Sequence, residues 1–401
     1  MFHINTHADF GRALTPEDAG LLSPAAAEAV EQHFAERPDH RPTPLHALPA
    51  LADELAVAGV FVKDEGHRLG LGSFKALGGS YAVIRLVLQE AASRLGCSLD
   101  TQDLSRPDVR AAAASMTFGC ATDGNHGRSV AMGARLVGAR SVIFVHSGVS
   151  EQRIAAIAHY GAEIVRVAGT YDDSVAEAAR VCDVNGWTVV SDTSWPGYEA
   201  IPGLVMQGYT ALLSEALRQM EKPPTHVFVQ AGVGGIAAAT AGHLALRFGA
   251  DRPRFVVVDP ARAACLYETA KAGHPVKVAH GEPTIMAMLE CYEPSLVAWR
   301  ILSRAADAFM TVDEEDAVSI MNRLARPKGK DPAIVAGESG GVGLAGLLAV
   351  AADPALREAI GLTAQSRVFV INTEGATDPE RYEALVGLSP GAVAGASSQG
   401  V

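Results

Sequence analysis

One lysine, Lys75, stands where its amine could do covalent chemistry. It follows Gly72-Ser73-Phe74 directly and opens an apolar run in which Tyr81, Ile84, Arg85 and Leu88 recur at helical spacing. Upstream, Phe61 and Val62 read as a strand, Gly70 and Gly72 as a loop, and Ser73 as the N-cap of the coming helix. A cation is disfavoured in the first turn by the helix dipole, and burial penalises the charged amine. Together these predict a lowered pKa and a neutral, nucleophilic fraction of the amine. A solvated lysine at a helix start would look the same in isolation. Four further loops argue against that bland reading.

The first is ATDGNHGR at 121–128, between a strand and a helix. Its turn aims several backbone N–H groups into one space, which suits a carboxylate, and it adds the side chains of Asp123, Asn125 and His126. A helix cap alone would also use an aspartate before a glycine. The second is Gln230-Ala231-Gly232-Val233-Gly234-Gly235-Ile236, whose glycines allow a phosphate to approach the backbone at a helix N-terminus. Gly232-x-Gly234-x-x-Ala237 also matches a dinucleotide fingerprint, with Asp259 as the ribose-binding acid, although a lone match of this kind is weak. The third, SDTSWPGYE at 191–199, sets Asp192 just past a strand end, where ligands of doubly wound sheets gather; its alternative is a cap for the helix that follows. The fourth comprises Gly337-Glu338-Ser339-Gly340-Gly341 and Asn372-Thr373-Glu374-Gly375, polar loops at a helix start and a strand end.

A lysine nucleophile, a phosphate cradle and strand-end polar groups without a metal cluster fit a pyridoxal phosphate enzyme. A nicotinamide oxidoreductase would use the Gly232 loop and Asp259 but leave the Ser73-Phe74-Lys75 and Asp123-Gly124-Asn125-His126 loops unexplained. A non-catalytic sensor that binds the cofactor or an amino acid is a further alternative.

Gly72-Ser73-Phe74-Lys75, then GNHG, then GVGG, resembles the tryptophan synthase β (fold type II) family of pyridoxal phosphate enzymes. ATDGNHGR, SDTSWPGYE, MQGYT at 206–210, TIMA at 284–287, GESG at 337–340 and TEGATD at 373–378 are similar to its branch of ammonia-lyases that act on 2,3-diaminopropionate. The resemblance spans most of residues 60–385 in the family's order. It implies α,β-elimination of D- or L-diaminopropionate to pyruvate and ammonia. Lys75 would be the Schiff-base lysine and the base for the L isomer, and Asp123 the base for the D isomer. Asp192 would join them as a catalytic residue. Phe74, Lys75, Asn125, Gly232, Val233, Gly234, Gly235, Glu338, Asn372 and Thr373 would hold pyridoxal 5'-phosphate, with Asn125 hydrogen-bonding its phenolic oxygen and either Asn372 or Thr373 facing the pyridine nitrogen. Ala121, Thr122, Asp123, His126 and Asp192 would meet the substrate, and no metal is expected. The chain departs from the family at Met288, Leu289, Glu290, Cys291 and Tyr292, where small residues are usual, and at Gly203-Leu204-Val205. A related lyase or dehydratase for another β-substituted amino acid is the alternative these changes keep open.

The elements that must position these groups are legible as alternation. From about residue 112, apolar strands of four to six residues alternate with amphipathic helices, which predicts α/β architecture with doubly wound, mostly parallel sheets in two lobes. The expected division is a discontinuous cofactor-binding domain of 1–85 and 205–390, a small domain of 86–204, and a low-complexity, disordered tail at 391–401. Residues 97–110 read as loop. The net charge of −12, with no basic stripe, argues against a nucleic-acid partner. No apolar window is long enough for a membrane span, and the N-terminus lacks a signal segment. Five scattered cysteines lack a metal-ligand spacing, and Cys265 and Cys291 read as free thiols. The expectation is a cytoplasmic homodimer with a small amino acid as its partner.

Overall fold

Runs such as His226–Gln230 and Arg254–Pro260 are apolar on both faces, a pattern stable only in a sheet covered on both sides. The structure is a computed structural model and describes residues 1–122 and 124–397, with side chains as far as 395. Its strands are β1 (Phe2–Ile4), β2 (Leu45–Ala47), β3 (Gly59–Asp64), β4 (Thr117–Ala121), β5 (Arg140–His146), β6 (Glu163–Val167), β7 (Thr188–Val189), β8 (His226–Gln230), β9 (Arg254–Pro260), β10 (Ala308–Val312) and β11 (Arg367–Asn372). They form a seven-stranded sheet in the order β1-β10-β9-β8-β11-β3-β2 and a four-stranded sheet in the order β6-β5-β4-β7. The smaller sheet is parallel throughout. In the larger one only the edge strands β1 and β2 run antiparallel. This is the α/β, doubly wound arrangement that the alternation predicts.

The helix that Lys75 opens, Lys75–Leu95, lies between the sheets and ends at Gly96 in the left-handed conformation. It packs closely on Asn125–Val137 and Ala200–Gln219, and glycine permits the approach: a Cβ on Gly133 would lie 2.7 Å from Ser80 Cα, and one on Gly78 2.4 Å from a Tyr209 ring carbon. One apolar cluster runs through this helix from Phe118 and Ile143 of the small sheet to Val227 and Val257 of the large one. No helix of the described residues is long and apolar enough to cross a membrane.

Three local expectations are corrected. The helix starts at Lys75 rather than Ser73, although the Ser73 Oγ still accepts the Lys75 N–H at 3.2 Å. Part of the expected loop at 97–110 belongs to the helix Pro107–Ala114, which starts on a proline and buries Val109, Ala112 and Ala113. The expected unstructured tail is helical over Pro390–Ser397, because Val393 packs with Met321, Tyr382 and Val386; residues 398–401 lie outside the described residues.

Candidate active site

Parallel strands deliver their following loops to one edge of a sheet, and here the two sheets face each other at that edge. The loops after β3, β4, β7, β8 and β11 enclose a cavity of ≈ 310 Å³. Lys75 lines it, and its Nζ donates to Oδ2 of Asp192. Burial works against the charged amine, but Asp192 outweighs burial, so Lys75 is held above the ordinary lysine range. The expected lowering is therefore reversed. The Asp192 carboxyl is disfavoured by burial yet held well below its usual range by Lys75. Nor does Asp192 cap the helix that follows, since Ala200–Gln219 has Glu199 at its N-cap.

The 121–128 loop brings Ala121, Thr122, Asn125 and His126 to the same cavity, while Asp123 lies outside the described residues. Thr122 Oγ1 accepts the N–H groups of Gly124 and Gly127 at 3.0 and 3.2 Å, which fixes the turn. Asn125 is the first residue of its helix and donates from Nδ2 to Glu374 Oε2 at 2.7 Å. His126 Nε2 lies 3.0 Å from the Val190 carbonyl, which can only accept, so the proton sits on Nε2. Burial lowers the His126 pKa, leaving a neutral ring with a buried, unpartnered Nδ1.

After β8, Gly232, Val233, Gly234 and Gly235 line the cavity at the N-terminus of the helix Gly235–Phe248. No side chain caps that helix, so its first-turn N–H groups are free for an anion. Gly234 has φ +102°, and a Cβ on Gly232 would lie 2.9 Å from Cys291 Sγ. Phe74 lines the cavity with its ring 4.7 Å from that of Tyr209. Thr373 lines it too and accepts from Gln230 Nε2 at 2.8 Å. Asn372 turns the other way, donating to Asp64 Oδ1 at 2.7 Å and the Val335 carbonyl at 3.1 Å. Glu338 is also outside the cavity wall, with Arg153 and Arg381 at 3.6 and 3.7 Å. Sequence reasoning assigned no role to Tyr209, Gln230 or Glu374, although MQGYT and TEGATD contain two of them. Tyr209 is buried on the cavity with its Oη unpartnered, and burial raises its pKa.

Asp259 does not take the ribose-binding place considered for it. Its Oδ2 accepts the N–H groups of Leu266 and Tyr267 at 3.0 and 2.8 Å, and burial pushes its carboxyl up to about 8. A raised carboxyl pKa means that ionisation opposes folding: stability is complete below the ordinary aspartate value and falls as pH rises toward 8. Asp259→Asn removes that ionisation, so its urea midpoint should change less between pH 5 and 8 than that of the wild type. Neither Cys265 nor Cys291 is in a disulfide. Among the described residues no group of three or more His, Cys, Asp or Glu side chains could hold a metal ion.

A lysine amine, an uncapped glycine-lined helix start and an orphaned phenol on one cavity define a site for a phosphorylated carbonyl cofactor. The family profile described as pyridoxal-phosphate dependent enzyme matches residues 36–374, and the chain belongs to that family. Its cofactor is pyridoxal 5'-phosphate, and Lys75, Asn125 and the Gly232–Gly235 backbone are chemically suited to it. The chain is similar to diaminopropionate ammonia-lyase of Escherichia coli (strain K12), 39% identical over 385 residues that cover 94% of this chain and 95% of that one. Its fold resembles the crystal structure of the Escherichia coli enzyme in complex with D-serine, with a TM-score of 0.85 at 36% identity over 96% and 97% of the two chains. The same enzyme with an aminoacrylate–pyridoxal phosphate azomethine intermediate gives a TM-score of 0.85 at 38% identity over the same shares of the chains, 96% and 97%.

Proposed function

We propose that this chain eliminates ammonia from 2,3-diaminopropionate, D or L, and that pyruvate and a second ammonia follow by hydrolysis. The observation that carries this reading is the Lys75–Asp192 pair facing the Gly232 loop across one cavity, in a chain this similar to enzymes named for that activity. Pyridoxal phosphate, when bound, supplies an electron sink for charge developing at the substrate α-carbon. The chain's own residues do the rest. The N–H groups of Gly232 to Gly235 would hold the phosphate, and Thr373, which lines the cavity, would meet the ring nitrogen rather than Asn372. Asp192 holds the Lys75 amine on the cavity and stays the local anion, while the amine would give its proton to water before bonding to a carbonyl carbon. With cofactor and substrate bound, Lys75 would take the α-proton of the L isomer, and Asp123 that of the D isomer. The β-ammonium leaves already protonated, with Asp192 as its nearby anion.

If Asp123 acts on one face only, Asp123→Asn should lose turnover of D-diaminopropionate by about 10²-fold or more and keep most turnover of the L isomer. Equal losses on both would remove Asp123 from stereospecific proton transfer.

Met288, Glu290 and Tyr292 all line the cavity and favour a second reading, a related lyase for another β-substituted amino acid. Comparing kcat/KM for both diaminopropionate isomers, both serine isomers and threonine decides between them. The first reading predicts diaminopropionate as the preferred substrate and is overturned if only the hydroxylated amino acids react. The two sheets as lobes, a homodimer and a cytoplasmic location belong to the same proposal; light scattering on the purified holoenzyme tests the dimer.

A further inference from the structure

Asn125 Nδ2 carries two hydrogens, and one is committed to Glu374 Oε2 at 2.7 Å. Glu374 is 2% exposed. Its loop is tied to the segment that presents Lys75 by Phe74 N–H to the Thr373 carbonyl and Gly375 N–H to the Gly72 carbonyl, both at 3.0 Å. It is tied to the 337 loop by Gly337 N–H to the Glu374 carbonyl at 3.1 Å. Thr377 Oγ1 adds a donor to Oε2 at 3.3 Å, while Oε1 has no partner. Glu338, also 2% exposed, is the neighbouring carboxylate, and its Oε1 is likewise without a hydrogen bond. The cations facing this pair are Arg153, from the helix Glu151–Ala158, and Arg381, from Pro379–Val386; both stand beyond hydrogen-bond length from Glu338.

We propose that Glu374, with Glu338 behind it, is a positioning residue that holds the Asn125 amide so that its second N–H is presented to the cavity. This rests on the reading that Asn125 donates to the cofactor's phenolic oxygen. An asparagine amide can rotate to present either its oxygen or its nitrogen, and an acceptor-only carboxylate selects the nitrogen end for the Glu374 side. Burial and Glu338 push the Glu374 carboxyl up to about 7, so the strength of this acceptor changes near neutrality.

The test is a double-mutant cycle on the holoenzyme, read by cofactor affinity and by the pH midpoint of the visible spectrum of the lysine-bound cofactor. Glu374→Ala and Asn125→Ala should each weaken cofactor binding by about threefold to tenfold, the worth of one hydrogen bond, and shift the midpoint alike. The double variant should do no more than either alone. Glu374→Gln, which keeps an acceptor oxygen, should restore affinity but lose the pH dependence near 7, and it serves as well if the alanine variant does not fold. Additive effects of the two alanine substitutions, or a Glu374→Gln variant that titrates like wild type, overturn the proposal and leave the Asn125 reading standing. An Asn125→Ala variant with unchanged affinity and spectrum overturns both.

Discussion

Lys75→Ala should give a folded protein whose turnover of diaminopropionate falls at least about 10⁴-fold, because the substitution removes a nucleophile and a base acting as one unit. Stability should fall, because the substitution removes one partner of a largely buried pair. Lys75 and Asp192 are both largely buried, so deleting the amine leaves Asp192 without its cation, and that carboxyl should then titrate nearer its usual range. The cofactor should still bind through the Gly232 loop but should no longer be fixed to the protein by borohydride. Peptide mass mapping of the borohydride-treated wild type, with Lys75→Ala as its control, reads this directly. Retention of a covalent adduct in the variant would mean that another lysine carries it.

The second large effect belongs to a buried charge network that the chemistry does not touch. Glu215, on the helix Ala200–Gln219, accepts from Lys63 at 2.9 Å and from Arg68 at 2.7 and 2.8 Å, with His40 at 3.3 Å. Glu65 takes the remaining face of Arg68 at 2.8 Å through both of its oxygens. Lys63, Glu65 and Arg68 show no exposure, so the network is desolvated, and ion pairing together with hydrogen bonds such as Lys63 Nζ to the Thr43 carbonyl at 2.8 Å offsets the cost. It joins β3 and the turn leading to Lys75 to the helix that carries Tyr209. Glu215→Ala leaves two buried cations short of an anion and should cost roughly 3–5 kcal/mol in urea unfolding. Burial disfavours the Glu215 carboxylate, but His40 and Arg68 hold its pKa well below the usual range. A depressed carboxyl contributes stability that is present above the ordinary glutamate value and lost as pH falls below it. The variant's deficit should therefore be full at neutral pH and shrink in acid. A loss under about 1 kcal/mol at pH 7 would mean the ion pairs barely exceed their desolvation cost.

The glycine loop and the lysine were legible because their demands are local: a phosphate needs bare backbone at a helix start, and a run such as THVFVQAGVGG spells out strand, turn and helix. What was not legible depends on partners remote in sequence. The dipole and burial arguments for a lowered Lys75 pKa were sound in themselves. Asp192, from another strand end, reverses the sign. The choice between Asn372 and Thr373 was undecidable from composition, yet strand parity turns neighbouring side chains to opposite sides, and only Thr373 meets the cavity. The helix Pro107–Ala114 escaped because three small buried residues on an alanine-rich segment barely register as periodicity.

The most direct test of the account is the ratio of ammonia to pyruvate released by the wild-type holoenzyme from each isomer of 2,3-diaminopropionate. Elimination of the β-amino group followed by hydrolysis predicts two ammonia per pyruvate, with the yield lost in Lys75→Ala. Absence of pyruvate from both isomers, in a preparation that carries its cofactor, would contradict it.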